Sequence, residues 1–182
     1  MASIWLVRHA PPARVGVCYG QSDVPVTLEP SEAARVIAQR WQDKNPHCVP
    51  ELWTSPWART QSVAEELARQ FGTGCQVDAR LSELAFGEWE GRTYAELEAS
   101  DADRFQHWLQ HYEVEAPPGG ETVAALRQRV SEWLAFRSAT DGTVLVVTHA
   151  GVIRTAHAVH TQRAYSAVAG DPVPHLEPQR LT

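Results

Sequence analysis

The residues best equipped for chemistry in this chain stand where apolar runs stop. Residues 4 to 9 read IWLVRH and residues 143 to 149 read TVLVVTH, so Arg8 with His9, and Thr148 with His149, each close a run suited to a buried strand. A neutral imidazole can act as nucleophile or proton carrier, and a guanidinium offers an oxyanion a planar, permanently charged fork. A third cation, Arg59, follows a shorter apolar stretch in ELWTSPWAR, residues 51 to 59. His149 is followed by Ala150 and Gly151 at an expected helix start, where unpaired backbone amides favour negative charge. A single histidine after a strand is usually structural, but two at equivalent strand ends, with arginines in reach, point to an anion pocket. Arg59 by spacing alone fits a helix surface equally well. Glu83 and Glu88, both in LSELAFGEWEG, are rival proton carriers. His107 with His111 (i, i+4) and His157 with His160 (i, i+3) have the spacing of metal pairs. With no acidic or cysteine partner expected in the same segment, both read as solvated helix faces, so no metal is expected.

Short apolar runs alternate with helical periodicities, and these elements must position the candidates. Strands are expected at 3–8, 51–54, 75–78 and 143–148. Thr27 is placed to cap a helix carrying Ala33, Val36, Ile37 and Trp41, with Pro30 in its first turn. Ser55 and Pro56 read as a cap and first-turn proline for a helix with Val63, Ala64, Leu67, Ala68 and Phe71 on one face. A third helix is expected from Glu121 to about Arg137, with Gly119 and Gly120 before it, and a fourth from about Gly151. AYSAVAG and LEPQRLT, near the end, are each expected as a short edge strand. Alternating strand and helix imply an α/β fold, a three-layer α/β/α sandwich with a mainly parallel sheet. Ligands of such sheets bind outside the carboxyl ends of the strands, where Arg8, His9, Arg59 and His149 stand. Pro11 and Pro12 turn the chain away from that rim as a fixed loop.

Bulk properties narrow the partners. The 182 residues, 43% of them apolar, suffice for one well-buried domain spanning 1–182. With 16 Lys and Arg against 22 Asp and Glu, the formal charge of -6 argues against nucleic acid or an acidic membrane surface as partner. Cys18, Cys48 and Cys75, odd in number and widely spaced, match neither a disulfide framework nor a zinc pattern and read as reduced thiols of a cytoplasmic protein. No run approaches the ~18 apolar residues of a membrane span, and no signal peptide is recognised. The seven tryptophans suit either the core or the face of a homodimer.

LVRHA at 6–10, SPWARTQSVAEEL at 55–67, LSELAFGEWEG at 81–91, PGGET at 118–122 and VVTHAGVIR at 146–154 resemble, in order, the successive signatures of the histidine phosphatase superfamily, whose fold is phosphoglycerate mutase-like. The likeness runs from residue 4 to about residue 154. The loop GVCYGQSDVP, residues 16–25, and alanine in place of glycine after the histidine are most similar to the branch that includes alpha-ribazole phosphatases. The resemblance implies that His9 is the nucleophile, forming a phosphohistidine, and that Arg8, Arg59 and His149 hold the transferring phosphoryl group. It also selects Glu83 over Glu88 as the acid and later the base, with no metal or cofactor, and it settles Arg59 in the pocket.

Relatives often carry a small hydroxyl residue three positions after the nucleophile and an asparagine three further on, whereas this chain has Pro12 and Val15. Arg14, Tyr19 and Gln21 on the same loop are placed to compensate, and Tyr19, Gln21 and Ala150 are expected to contact substrate. Residues 92–117 are expected to form a small helical cap, in which Trp108 and Tyr112 shape a cleft or pack against the body. The expected activity is hydrolysis of a small phosphorylated metabolite, with alpha-ribazole 5'-phosphate the first candidate. Phosphoglycerate mutase-type transfer and a phospholigand-binding pseudoenzyme are the alternatives.

Overall fold

In the computed structural model of the protein, which describes residues 3–181, the run before His9 forms strand β1, Ser3–Arg8, and the run before His149 forms β4, Thr143–Thr148. The two lie side by side and parallel, in register from Ser3 with Thr143 to Arg8 with Thr148, so both histidines leave the sheet at one level. With β2 (Glu51–Thr54), β3 (Cys75–Val77) and β5 (Gln179–Arg180) the strand order is β3-β2-β4-β1-β5. The first four strands are parallel, and β5 pairs antiparallel with Trp5 and Leu6.

Side chains alternate across each strand, and here both faces are buried. Val7, Leu52, Leu145 and Val147 pack against Ile37 and Trp41 of α1 (Pro30–Lys44) and Val63 and Leu67 of α2 (Ala58–Phe71). On the other face Ile4, Leu6, Trp53, Val144 and Val146 meet Leu126, Val130 and Trp133 of α5 (Val123–Ser138) and Ile153 of α6 (Ala150–His160). The result is the three-layer α/β/α sandwich with a mainly parallel sheet. Trp41, Trp89 and Trp133 are fully buried and Trp53 nearly so, which commits these four tryptophans to the interior.

Between β3 and α5 lie two short 3₁₀ turns, Ala79–Leu81 and Gly87–Trp89, where helical periodicity fades. The small helices α3 (Tyr94–Ser100) and α4 (Ala102–His111) follow. Thr93 and Glu96 form a reciprocal capping box at the start of α3. Trp89 anchors the pair, its ring edge-on to Phe105 and to Trp108 at 5.5 Å between centroids in each case, with its Nε1 donating to Asp101 at 2.9 Å.

Three local expectations are corrected. Thr27 does not cap α1, whose cap position is Glu29; the Thr27 amide instead donates to the Pro11 carbonyl, in a loop that also pairs Pro12 with Val26. Ser55 and Pro56 precede α2, which is capped at Trp57, and the Asp23 carboxylate accepts from the Ala58 amide at 2.9 Å. AYSAVAG forms a 3₁₀ turn, Tyr165–Ala167, whereas LEPQRLT does supply the edge strand β5.

Candidate active site

The strand order decides the site. The chain leaves β1 toward α1 on one face and leaves β4 into α6 on the other, so the crevice of this sheet opens between the carboxyl ends of β1 and β4. His9 and His149 stand there with ring centroids 5.3 Å apart, and both are buried. His9 Nδ1 lies 2.7 Å from the Ala10 carbonyl. A carbonyl only accepts, so Nδ1 carries the proton and Nε2 keeps the lone pair. Burial first, then the positive charges of Arg59 and Arg8, pushes the His9 pKa down to about 3, which keeps the ring neutral near pH 7. His149 is lowered well below its ordinary value for the same leading reasons, burial and Arg59, with His9, Arg129 and Arg8 adding to it.

Ser55 belongs to the site rather than to a helix cap: its Oγ lies 2.7 Å from His149 Nε2 and 2.6 Å from Thr60 Oγ1. This hydroxyl relay orients the imidazole from the side away from Nδ1. Arg59, buried on the first turn of α2, donates from Nη1 to the Ser22 carbonyl at 2.7 Å and from Nη2 to the Gly20 carbonyl at 2.6 Å, fixing the loop that carries Tyr19. The Tyr19 ring stands under the Arg59 guanidinium at 5.8 Å. Arg8 donates to the Val173 carbonyl at 3.1 Å. Arg8 Nε, Arg59 Nε and His149 Nδ1 are buried without a hydrogen-bond partner, three unsatisfied nitrogens on three residues of one site.

Glu83 closes the constellation. Its Oε1 accepts from its neighbour's amide, Leu84 N, and its Oε2 from Gly151 N, both at 3.0 Å. A side chain at Gly151 would displace this carboxylate from its place, whereas glycine leaves room for it. Glu88, the rival, points outward to Arg104 at 3.5 Å, with 64% of its side chain exposed. A cavity of about 340 Å³ opens above, lined among others by Arg8, Tyr19, Glu83, Ala150, Arg154 and His175.

Of the loop residues, Tyr19 lines this cavity, whereas Gln21 turns back and donates to the Glu83 carbonyl at 3.1 Å. Pro12 and Val15 reach the cavity mouth, with Val15 85% exposed, while Arg14 is exposed and does not line it. Gly120 packs against the Ala85 carbonyl and Gly87 against Pro118 and Gly119, so PGGE braces the loop carrying Glu83.

Besides the role of Ser55, four contributors were missed at the sequence level. Glu90 accepts from the amides of Gly20, Gln21 and Phe86 and from the Ser22 hydroxyl, tying two loops together. Arg129, paired with Glu121 at 2.7 Å, donates to the carbonyls of Arg80, Ser82 and Glu83. Arg154 lines the cavity from α6, and its position within VVTHAGVIR was the available signal. His175 is the fourth: its Nδ1 donates to the His9 carbonyl at 2.6 Å and its ring lies 5.8 Å from that of His9. No local pattern in DPVPHLEP marks His175. It arrives because residues beside Arg8 pair back onto β1, Leu176 N donating to the Arg8 carbonyl, with Leu176 held at φ 58.

A second cavity, about 510 Å³, shares Leu84, Phe86, Tyr94 and Tyr165 with the first. The rest of its wall is Phe105, Trp108, Leu109 and Tyr112 of the cap with Val123 and Ala169, and Glu98 is its one charged side chain.

This chain belongs to the histidine phosphatase superfamily (branch 1), whose family model matches residues 4–172. It is 28% identical over 154 residues to the adenosylcobalamin/alpha-ribazole phosphatase of Escherichia coli K12, covering 82% of this chain and 74% of that protein. It is 30% identical over 162 residues to the putative phosphoserine phosphatase 2 of Hydrogenobacter thermophilus, covering 87% of this chain and 77% of that protein. The alpha-ribazole phosphatase structure from Shigella flexneri superposes with a TM-score of 0.85 at 23% identity, over 98% of this chain and 89% of that one, a likeness of fold. Members of the superfamily are phosphatases and mutases, which supports a phosphatase enzyme. No helix among the described residues is long and apolar enough to cross a membrane.

Proposed function

We propose that this protein hydrolyses a phosphomonoester through a phosphohistidine on His9, without a metal, and that its substrate is a small metabolite whose leaving group carries a flat apolar part. The observation that carries the reading is the pair of buried, neutral histidines at the ends of adjacent strands, set among Arg8, Arg59 and Glu83. His9 Nε2, with its lone pair free, attacks phosphorus while Glu83 delivers a proton to the departing oxygen. The carboxylate left behind then takes a proton from water, which attacks the phosphohistidine, releases inorganic phosphate and restores His9. Arg8, Arg59 and His149 stabilise the charge on the equatorial oxygens. Ser55 Oγ bridges His149 Nε2 and Thr60 Oγ1, and Thr60 in turn donates to the Trp57 carbonyl at 2.8 Å, so the ring is held by one edge while Nδ1 is left without a protein partner. Preorganised donors of this kind are each worth about 10²–10³ in rate.

The aromatic cavity beside the phosphate pocket supports the apolar leaving group, because a phosphoserine or phosphoglycerate leaving group would set its own charges against Phe86, Phe105 and Trp108. Among substrates named by relatives, alpha-ribazole 5'-phosphate is therefore the first to test. The deciding experiment is a burst and steady-state assay on p-nitrophenyl phosphate in EDTA, with quenched samples run by intact-mass spectrometry. The expected result is full turnover in EDTA without a bisphosphate primer, and a phosphoryl adduct on His9 that survives base and is lost in acid. Phosphate binding with neither adduct nor turnover would overturn the reading in favour of a binding protein, and primer dependence would turn it into a mutase.

A further inference from the structure

His107, His111 and Glu115 form a cluster outside the proposed catalytic cavity, and they correct the expectation that these histidines lack an acidic partner. His107 and His111 are one turn apart on α4, and Glu115 follows in the turn beyond it, where its amide still donates to the His111 carbonyl at 3.0 Å. Chain geometry thus continues the same face for a further step of four residues. His107 Nε2 already contacts Glu115 Oε2 at 2.8 Å, the two rings lie 4.4 Å apart, and one ligand atom from each of the three residues falls within 4.8 Å of the others. Around a tetrahedral zinc-like ion, with bonds of about 2.0–2.2 Å, neighbouring ligand atoms stand about 3.4 Å apart, so small side-chain rotations close the set.

A second feature distinguishes this cluster from charges that merely share a surface. His111 Nδ1 donates to the His107 carbonyl at 2.8 Å, which fixes the tautomer and leaves Nε2 as the free coordinating nitrogen. Metal-binding histidines are commonly supported in this way by a carbonyl on their other nitrogen. We infer that His107, His111 and Glu115 form a binding site for one divalent transition-metal ion of the zinc class, with the fourth position open to water. Two imidazoles and one carboxylate suit zinc, and copper(II) should bind more tightly by the usual order of affinities.

The site faces away from the chemistry but not from the cap. Trp108 of α4 and Tyr112, just past its end, line the aromatic cavity, and Glu113 accepts from the Ser166 amide at 2.6 Å. An ion bridging residues 107, 111 and 115 ties the end of α4 to the turn that leads into Pro117 and Pro118. Its role is to hold the cap, and hydrolysis does not pass through it.

The test uses the full chain, stripped with chelator and titrated with Zn²⁺ by calorimetry and with Co²⁺ by absorption. The wild type should bind one equivalent, and the Co²⁺ form should give a four-coordinate spectrum without a thiolate charge-transfer band. The His107→Ala and His111→Ala variants, both on an exposed face, should each weaken Zn²⁺ at least tenfold, since losing even a supporting partner costs about 10–100-fold. Glu115→Gln should weaken it by less, and all three should keep wild-type turnover in EDTA. Zn²⁺ should also raise the wild-type melting temperature, since it binds the folded chain, and this rise should vanish in the His107→Ala/His111→Ala double variant. Zinc binding equal in the double variant and the wild type would overturn the assignment, as would a thiolate band pointing to Cys48 or Cys75.

Discussion

The floor of the catalytic cavity and the wall of the aromatic cavity beside it are built in opposite ways. The floor, which presents Arg8, Glu83 and His175 to the cavity and adjoins the buried His9, Ser55, Arg59 and His149, is drawn from segments remote in sequence, and the majority of these residues make specific hydrogen bonds to backbone groups. Much of the wall comes from one ten-residue helix, α4, whose Phe105 and Trp108 meet Phe86 and Trp89 through ring contacts. A buried polar group is costly to hold without partners, and a rigid sheet with its flanking loops supplies them at fixed positions for most of these groups, leaving Arg8 Nε, Arg59 Nε and His149 Nδ1 unpaired. An apolar wall needs only area and shape, which a single amphipathic helix can offer. Chemistry and selection are therefore separable here, and the variants below are chosen to pull them apart.

The largest expected effect belongs to the floor. His9→Ala should lower turnover of every phosphomonoester by about 10⁴-fold or more, as loss of a nucleophile does elsewhere, while circular dichroism and melting show a folded chain. Turnover close to wild type would remove the phosphohistidine mechanism. Next comes Glu83→Gln, which keeps the shape but not the proton: a drop of about 10²–10⁴ in kcat is expected for esters with poor leaving groups. For p-nitrophenyl phosphate, whose leaving group needs little protonation, the burst of phosphoenzyme should survive and its hydrolysis should become limiting. Equal losses on both substrate types would assign Glu83 to binding instead.

A smaller effect is expected at the wall. Trp108→Ala should raise KM for an aromatic phosphate ester roughly tenfold, in line with about 1.4 kcal/mol for one ring contact, and leave kcat unchanged. Phosphoserine hydrolysis in the same variant should not move. A parallel loss on both substrates would mean that the cap shapes the catalytic floor after all.

The remaining signal is read on stability rather than on rate, and it is the acid dependence of folding. His9 is neutral in the folded chain, its pKa pushed down to about 3 by burial first and then by Arg59, whereas the unfolded chain titrates near 6.5. Between these values the unfolded state binds more protons, so the stabilisation present above about pH 6.5 is lost as pH falls toward 3. His149, lowered in the same direction, adds to that loss. Melting temperatures measured from pH 8 to pH 4 should therefore fall, and they should fall less steeply in His9→Gln. Parallel slopes in the two proteins would place the acid sensitivity elsewhere.

Legibility followed the range of the interactions. The strands ending at Arg8 and Thr148 could be read because a strand buried on both faces must be almost wholly apolar, and a charged residue ends it. The capping residues could not, because caps are contested: Thr27 was drawn to Pro11 and Ser55 to His149, partners 16 and 94 residues away. The acidic partner of His107 was in plain view four residues past His111, but recognising it required knowing that the turn after α4 keeps helical geometry.

By itself the sequence determined the alternation of strands and helices, the charge balance that disfavours polyanions, and the motifs naming Arg8, His9, Arg59, Glu83 and His149. The first two follow from local periodicity and residue chemistry, which a chain carries whether folded or not, and the choice of Arg59 and Glu83 came from the resemblance to the family. Tertiary structure alone decided that β4 lies next to β1, so that His9 and His149 meet. It also decided that Arg129 and Glu90 hold the loops, and that His175 returns to the His9 backbone. Such choices depend on which remote segments bury surface together, and only the folded chain brings those segments into contact.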